Sequence, residues 1–413
     1  MNIFGVNITD HSELAAPYRK FAGQLSKWYA GGELPELAGQ DLRFILQLQR
    51  QKLQSMGLEM QCSMKRLGAK KAEIGSVSFS DRVFINSIIG GNVDMTRSIY
   101  SSQDQRRKDT EVISFEAVIQ ELKADSSPSA DMALCCPHCG APSTLGELQA
   151  GCKYCGTKFL MSELYPRVMN FFISNDTDNS QKSSKNRRDI AVCMAIAIIP
   201  TVIFFIISGN KGMAENIFSG IIAGGIVGFS LFILKKLFGV FGMMGRDARG
   251  AGKTVSSLHY MNKIKKYDPE FSTEYFRDKV MSLFRMAVYS KDASQLACCR
   301  CSCPEKAADI IEADLHNLSV NSCKIKDRTC DTDITLYLDC LHYSKGKFRR
   351  KTDKYRMCVR KRIKRPTELG FSFAAVRCPS CGASFDARNV KTCPYCGSEY
   401  LHEENDWIIT DIR

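Results

Sequence analysis

Cys136-Pro-His-Cys139-Gly140, then after twelve residues ending at Gly151, Cys152-Lys-Tyr-Cys155-Gly156, set the frame for reading this chain. The pattern returns as Cys378-Pro-Ser-Cys381-Gly382 and, after eleven residues, Cys393-Pro-Tyr-Cys396-Gly397. Two residues between thiols let one tight turn aim both sulfurs at one ion, and a glycine after each pair can take the positive φ that such a turn needs. Two turns then complete a tetrahedron. Four sulfur donors with no open position describe a structural zinc site, whereas a catalytic one keeps a place for water. The sequence therefore predicts two structural zinc ions, held by Cys136, Cys139, Cys152 and Cys155 and by Cys378, Cys381, Cys393 and Cys396. Cys135 and His138 crowd the first site, but the spacing selects Cys136.

The chain has 413 residues, 44% hydrophobic and 24% charged, enough for several domains with buried cores. Its nineteen cysteines are then not the staples of a small secreted scaffold. Met1 to Asp10 has neither a cationic start nor an apolar stretch, so no cleavable signal peptide is expected. Fifty-seven Lys and Arg against 44 Asp and Glu leave +13, which favours an anionic partner: nucleic acid, an acidic protein or a lipid surface.

Between the two motifs lie Ile190 to Ile207 and Ile217 to Leu234, two runs free of charge. Their length predicts a transmembrane hairpin with the nine-residue connector 208–216 outside. Lys182, Lys185, Arg187, Arg188, Lys235, Lys236, Arg246 and Arg249 flank it, placing both large arms in the cytoplasm and the protein in the inner membrane as a multi-pass chain, with the lipid bilayer as its first partner. Gly220, Gly224 and Gly228 fall on one face of the second run as a helix-packing stripe for the first run or for a second copy in a homo-oligomer.

The arms read as α+β. Helices are expected around Tyr18 to Tyr29 and Leu42 to Met56. A strand pair is expected at Val83 to Ile89 and Val93 to Tyr100 about a Gly90-Gly91-Asn92 turn, and a third strand at Glu111 to Ile119 with Ile113, Phe115, Ala117 and Ile119 on one face. In the carboxyl arm Ser272 caps a helix whose Phe271 and Phe276 are spaced as a staple, and Pro304 to Leu318 is a second helical candidate. Ile334, Leu336, Leu338 and Cys340, then Tyr355, Met357 and Val359, alternate as strands of a one-sided sheet. The order of elements in the two arms suggests an internal duplication, with Phe115 to Val118 echoing Phe373 to Val376. The divisions are 1–123 (α+β), 124–170 (first ribbon with its linker), 171–189 (polar linker), 190–234 (hairpin), 235–266 (basic linker), 267–377 (α+β), 378–397 (second ribbon) and 398–413 (closing strand).

Asp268-Pro269-x-Phe271-Ser272, the amphipathic helix, the basic antiparallel sheet, the inserted ribbon and the closing Asp406-Trp407-Ile408-Ile409 strand resemble the membrane-anchored bacterial relatives of the inner-membrane translocase subunit-44-like domain. The resemblance covers Tyr267 to Arg413. It implies a curved antiparallel sheet around helices, similar to the nuclear-transport-factor-two and cystatin-like cones, and a role as a scaffold or transport-associated module that binds protein or lipid. It assigns no binding residue.

Other signals are weaker. Asp247 to Thr254 ends like a phosphate loop but lacks its first glycine. Cys298, Cys299, Cys301 and Cys303 are read as reduced thiols, and the six histidines show no metal spacing. No catalytic residue is identified, so the chain is read as non-enzymatic. Lys345 to Arg365 holds twelve basic residues against Asp353, and Arg356, Arg360 and Arg362 share a strand face suited to an anionic partner. A lipid surface or acidic protein comes first; nucleic acid, which zinc ribbons often bind, is the alternative.

Overall fold

Alternation along the chain decides most of the observed strands. Ile113, Phe115, Ala117 and Ile119 are fully buried on one face of a seventeen-residue strand, where Phe115 stacks on Phe21 at 6.3 Å and receives the Tyr18 hydroxyl on its carbonyl at 2.9 Å. The computed structural model describes residues 2–3, 6–7, 12–66, 74–101, 106–175, 194–209, 212–227, 230 and 259–413. It divides into one unit of Met1–Asn175 with Ser256–Arg413 and a second of Asp176–Val255.

After a two-residue pair, β1 (Asn2–Ile3) and β2 (Val6–Asn7), the amino arm runs through α1 (Ala15–Tyr29), α2 (Gln40–Ser55), β3 (Leu58–Arg66), β4 (Ile74–Ser80), β5 (Phe84–Ser101) and β6 (Arg106–Leu122). The first ribbon follows, with β7 (Ala133–Cys135) and β8 (Pro142–Thr144), and β9 (Arg167–Asn175) closes the sheet. The antiparallel order is β3-β5-β6-β9, with β4 on β5. The carboxyl arm begins with the helix Thr273–Tyr289 and continues through β10 (Ile310–Lys326), β11 (Thr329–Ser344) and β12 (Lys347–Arg362). The second ribbon carries β13 (Val376–Arg377) and β14 (Ser384–Phe385), and β15 (Ile408–Ile412) completes the order β10-β11-β12-β15. Three bulges along β10 curl this sheet.

The two arms share more than element order. Each ribbon sits between the last long strand before it, β6 or β12, and the closing strand, β9 or β15, which returns to pair with that strand. Val168 and Ile409, each thirteen residues after the last ribbon cysteine, each make a parallel bridge to a segment after a helix, Ala38 and Cys299 respectively. The next residue, Met169 or Thr410, is the bulge in each closing pair. The expected echo lies elsewhere: Phe115 to Val118 belong to β6, whereas Phe373 to Val376 lead into β13.

Ser272 caps its helix by accepting from the Tyr275 amide at 3.0 Å, and Phe271 meets Phe276 at 5.7 Å between ring centroids. Phe276 then packs edge-on against Trp407 at 4.9 Å, tying helix to closing strand. Two local expectations give way. Gly90-Gly91-Asn92 is no turn: β5 runs straight through it, paired to Glu116, Phe115 and Ser114 of β6. Pro304 to Leu318 holds one 3-10 turn, Glu305–Ala307, before β10 pairs with β11.

The transmembrane hairpin is also corrected. Among the described residues no helix is long and apolar enough to cross a membrane, which conflicts with a hairpin at 190–234, with a multi-pass inner-membrane placement and with an α+β membrane fold. The described residues include helix over 194–208 and over 213–227. They pack on each other through the expected glycines. A Cβ at Gly220 would come within 2.6 Å of Val202 Cα, and one at Gly224 within 2.6 Å of Ile198 Cα. Gly228, the flanking basic residues Lys182 to Arg188 and Lys235 to Arg249, and the loop Asp247 to Thr254 lie outside the described residues.

The two arms are joined by buried charge. Arg285 donates to Asn170 Oδ1 and the Phe171 carbonyl on β9, each at 2.8 Å, and to Asp314 on β10 at 2.8 Å. Lys279 sits 2.6 Å from Asp406 and 3.5 Å from Asp41 of α2. Arg97 of β5 meets Glu312 of β10. Removing one member of such a pair strands the other in the core. Arg285→Met is expected to lower unfolding free energy by about 3–5 kcal/mol, read as a fall in urea midpoint at unchanged slope.

Candidate metal centres

The ribbon sequences fold as four copies of one turn. The amides of Gly140, Gly156, Gly382 and Gly397 donate to the carbonyls of Cys136, Cys152, Cys378 and Cys393 at 2.7–2.9 Å. Their φ values are 77°, 72°, 76° and 72°, the left-handed region that only glycine enters freely. The amides of Cys136, Cys152, Cys378 and Cys393 donate in turn to the carbonyls of Ala141, Thr157, Ala383 and Ser398. Each turn thus leaves two thiols pointing the same way. A Thr144–Glu147 capping box fixes the helix Leu145–Ala150 between the two turns of the first ribbon.

All four thiols of each set lie within 4.8 Å of one another. Cys136 and Cys155 are 3.7 Å apart and Cys139 and Cys152 3.8 Å; the matching pairs in the second ribbon, Cys378 with Cys396 and Cys381 with Cys393, repeat 3.7 and 3.8 Å. A tetrahedron with zinc–sulfur bonds of about 2.3 Å has edges of about 3.8 Å, so both sets fit a structural zinc ion without rearrangement. Hydrogen bonding from Thr157 holds the Cys155 thiol down to about 5, and Ser398 does the same for Cys396, to about 6. The coupled thiols Cys136 and Cys381 move the other way, each pushed up to about 12.

Cys135 is buried and its thiol faces the Ala374 carbonyl at 3.4 Å, and exposed His138 stands outside the sulfur set, as the spacing required. That Cys135 contact belongs to a seam where the ribbons meet. Ala133, Ala374 and Ala375 pack around it, and Arg377 pairs with Asp131 at 2.9 Å. Tyr154 and Tyr395, the third residue of each second knuckle, are 63% and 61% exposed, and the neighbouring Tyr154 phenol raises the pKa of Tyr395.

The remaining sequence candidates are placed differently. Arg356, Arg360 and Arg362 do share a face of β12, but each has an acid of this chain beside it: Asp333, Asp331 at 2.6 Å and Glu404 at 3.2 Å. Cys299 and Cys301 are 3.7 Å apart, yet Cys298, Cys299, Cys301 and Cys303 enter none of the three metal-capable groups among the described residues. The third group is Cys340, His342 and Asp353, which the sequence reading missed. Its signal was present: Cys340 and His342 alternate on one strand, and Asp353 follows on the neighbouring strand of the same hairpin.

No family model matches the chain, and neither a curated protein nor a solved structure does. The chemistry of these sites therefore rests on their own geometry. Mass-spectrometric metal analysis should find zinc in both ribbons, and Cys136→Ser or Cys378→Ser should each release one ion while the other ribbon keeps its own.

Proposed function

We propose that the chain is a non-enzymatic zinc-ribbon scaffold that holds a protein partner on the face where the two ribbons meet. The observation that carries this reading is the Tyr154–Tyr395 pair, two exposed aromatic rings at equivalent knuckle positions. Large amphipathic side chains of this kind bury much area at little entropic cost, and they are enriched where protein surfaces bind one another. Two closed metal sites beneath them hold the rings in place without supplying chemistry. The resemblance to translocase subunit-44-like domains points the same way, because mitochondrial members bind proteins of an import motor. A transport-associated role belongs to this proposal.

The basic strand contributes little to it. Its arginines already have acidic neighbours, which offset the positive field that would attract an anionic surface.

A photoreactive phenylalanine analogue at Tyr154 tests the reading in cells. It should yield a discrete protein adduct that Tyr395→Ala weakens at least tenfold, while the same analogue at Tyr267, 55% exposed and outside both ribbons, should not. Equal adducts at both positions would remove the ribbon face as the docking site. Adducts sensitive to nuclease rather than protease would support nucleic acid instead.

A further inference from the structure

The geometry points to a third metal site in the carboxyl sheet, a zinc ion held by Cys340 Sγ, His342 Nε2 and Asp353 Oδ2. Cys340 and His342 are two apart on β11, so their side chains leave the sheet on the same side. Asp353 stands on β12 opposite Leu338, diagonal to Cys340, and reaches along the same face. The ligand atoms of the three residues all lie within 4.8 Å of one another. Asp353 Oδ2 is 2.6 Å from His342 Nε2.

The second half of the argument is Asp309. Its Oδ1 lies 2.8 Å from His342 Nδ1, which makes Nδ1 the protonated nitrogen and turns the Nε2 lone pair toward Cys340 and Asp353. A carboxylate behind a histidine in this way is the support found at metal-ligating imidazoles, where it fixes the ring and raises its basicity. Without a cation, two carboxylates face one ring that is 4% exposed, and an ion between His342 and Asp353 takes the place of the proton that the short Nε2–Oδ2 contact otherwise needs. Insertion parts the two atoms from 2.6 Å to about 3.3 Å, the spacing of nitrogen and oxygen ligands around tetrahedral zinc, and displaces the Cys340 proton to solvent.

One nitrogen, one sulfur and one oxygen suit zinc over magnesium or calcium, which prefer oxygen alone. This set differs from the ribbons in kind. It has one thiolate rather than four and leaves a fourth position open beside Asp353, which at 15% is the most exposed of the three ligands. An ion here binds more weakly than in either ribbon and exchanges more readily. It would fasten the β11–β12 hairpin beside the segment that carries Asp309 into β10.

The test is the zinc content of the full chain, equilibrated with a small excess of zinc and freed of unbound metal. Three ions per chain are expected, falling to two after dialysis against a weak chelator that leaves both ribbons loaded. Asp353→Asn and Cys340→Ser should each hold two from the start, with circular dichroism unchanged. Cobalt supplies an independent reading: in chain with both ribbons zinc-loaded, one further equivalent should give visible d–d bands that His342→Gln abolishes. Two zinc ions in the wild-type chain under zinc excess, with no cobalt bands, would overturn the site and leave His342 as an internal ion pair.

Discussion

A single buried guanidinium connects the parts of this molecule that the chain brings together late. Arg285 is 3% exposed and every direction of its fork is used: the Ala313 carbonyl and Asp314 on β10, Asn170 and the Phe171 carbonyl on β9. Asn170 in turn donates to Asp278 and Ser282 of the helix that carries Arg285. The closing strand of one sheet and the first strand of the other are thus held through one side chain that cannot lose its charge. Lys279, six residues earlier on that helix, extends the same logic to α2 and to Asp406 beside Trp407. Burying these charges is costly, and the return is a specific docking of two sheets that hydrophobic contact alone would leave free to slide.

What the sequence made legible was local or periodic. The four knuckles needed only adjacent residues, so Gly140 and its counterparts, the choice of Cys136 over Cys135 and the pairing of ribbons with ions could all be read directly. The buried faces of β6, β11 and β12 could be read because their alternation survives in both sheets. The errors share one origin, which is that a distant strand decides the outcome. Gly90-Gly91-Asn92 has turn composition, but continuous pairing with β6 overrides it. Residues after Pro304 carry helical spacing, yet β11 supplies a ladder for them instead. The apolar runs near 190 and 217 were read from composition, whereas no described helix is long and apolar enough to cross a membrane. The Cys340, His342 and Asp353 group was overlooked because its residues meet only once the hairpin pairs, and Asp309 behind the ring lies thirty-three residues from His342.

The repeated plan of the arms gives the ribbons a place in the fold that their sequences alone did not suggest. Each is an insertion between a sheet's last two strands in the chain, and the distance from its final cysteine to the bridged residue of the closing strand is the same in both arms. The seam between ribbons joins corresponding parts, β7 against β13 and β8 against β14. A surface assembled in this way depends on both arms at once.

That placement couples metal supply to the integrity of the sheets. The closing strands β9 and β15 follow their ribbons in the chain, and a ribbon of this size gains its order from the ion. In a zinc-starved cell the loops would stay open, and β6, and over a shorter stretch β12, would present unpaired amides and carbonyls to any passing strand. Scarcity of zinc would then be felt first as stickiness and turnover of the whole protein, well before any loss at the ribbon surface itself.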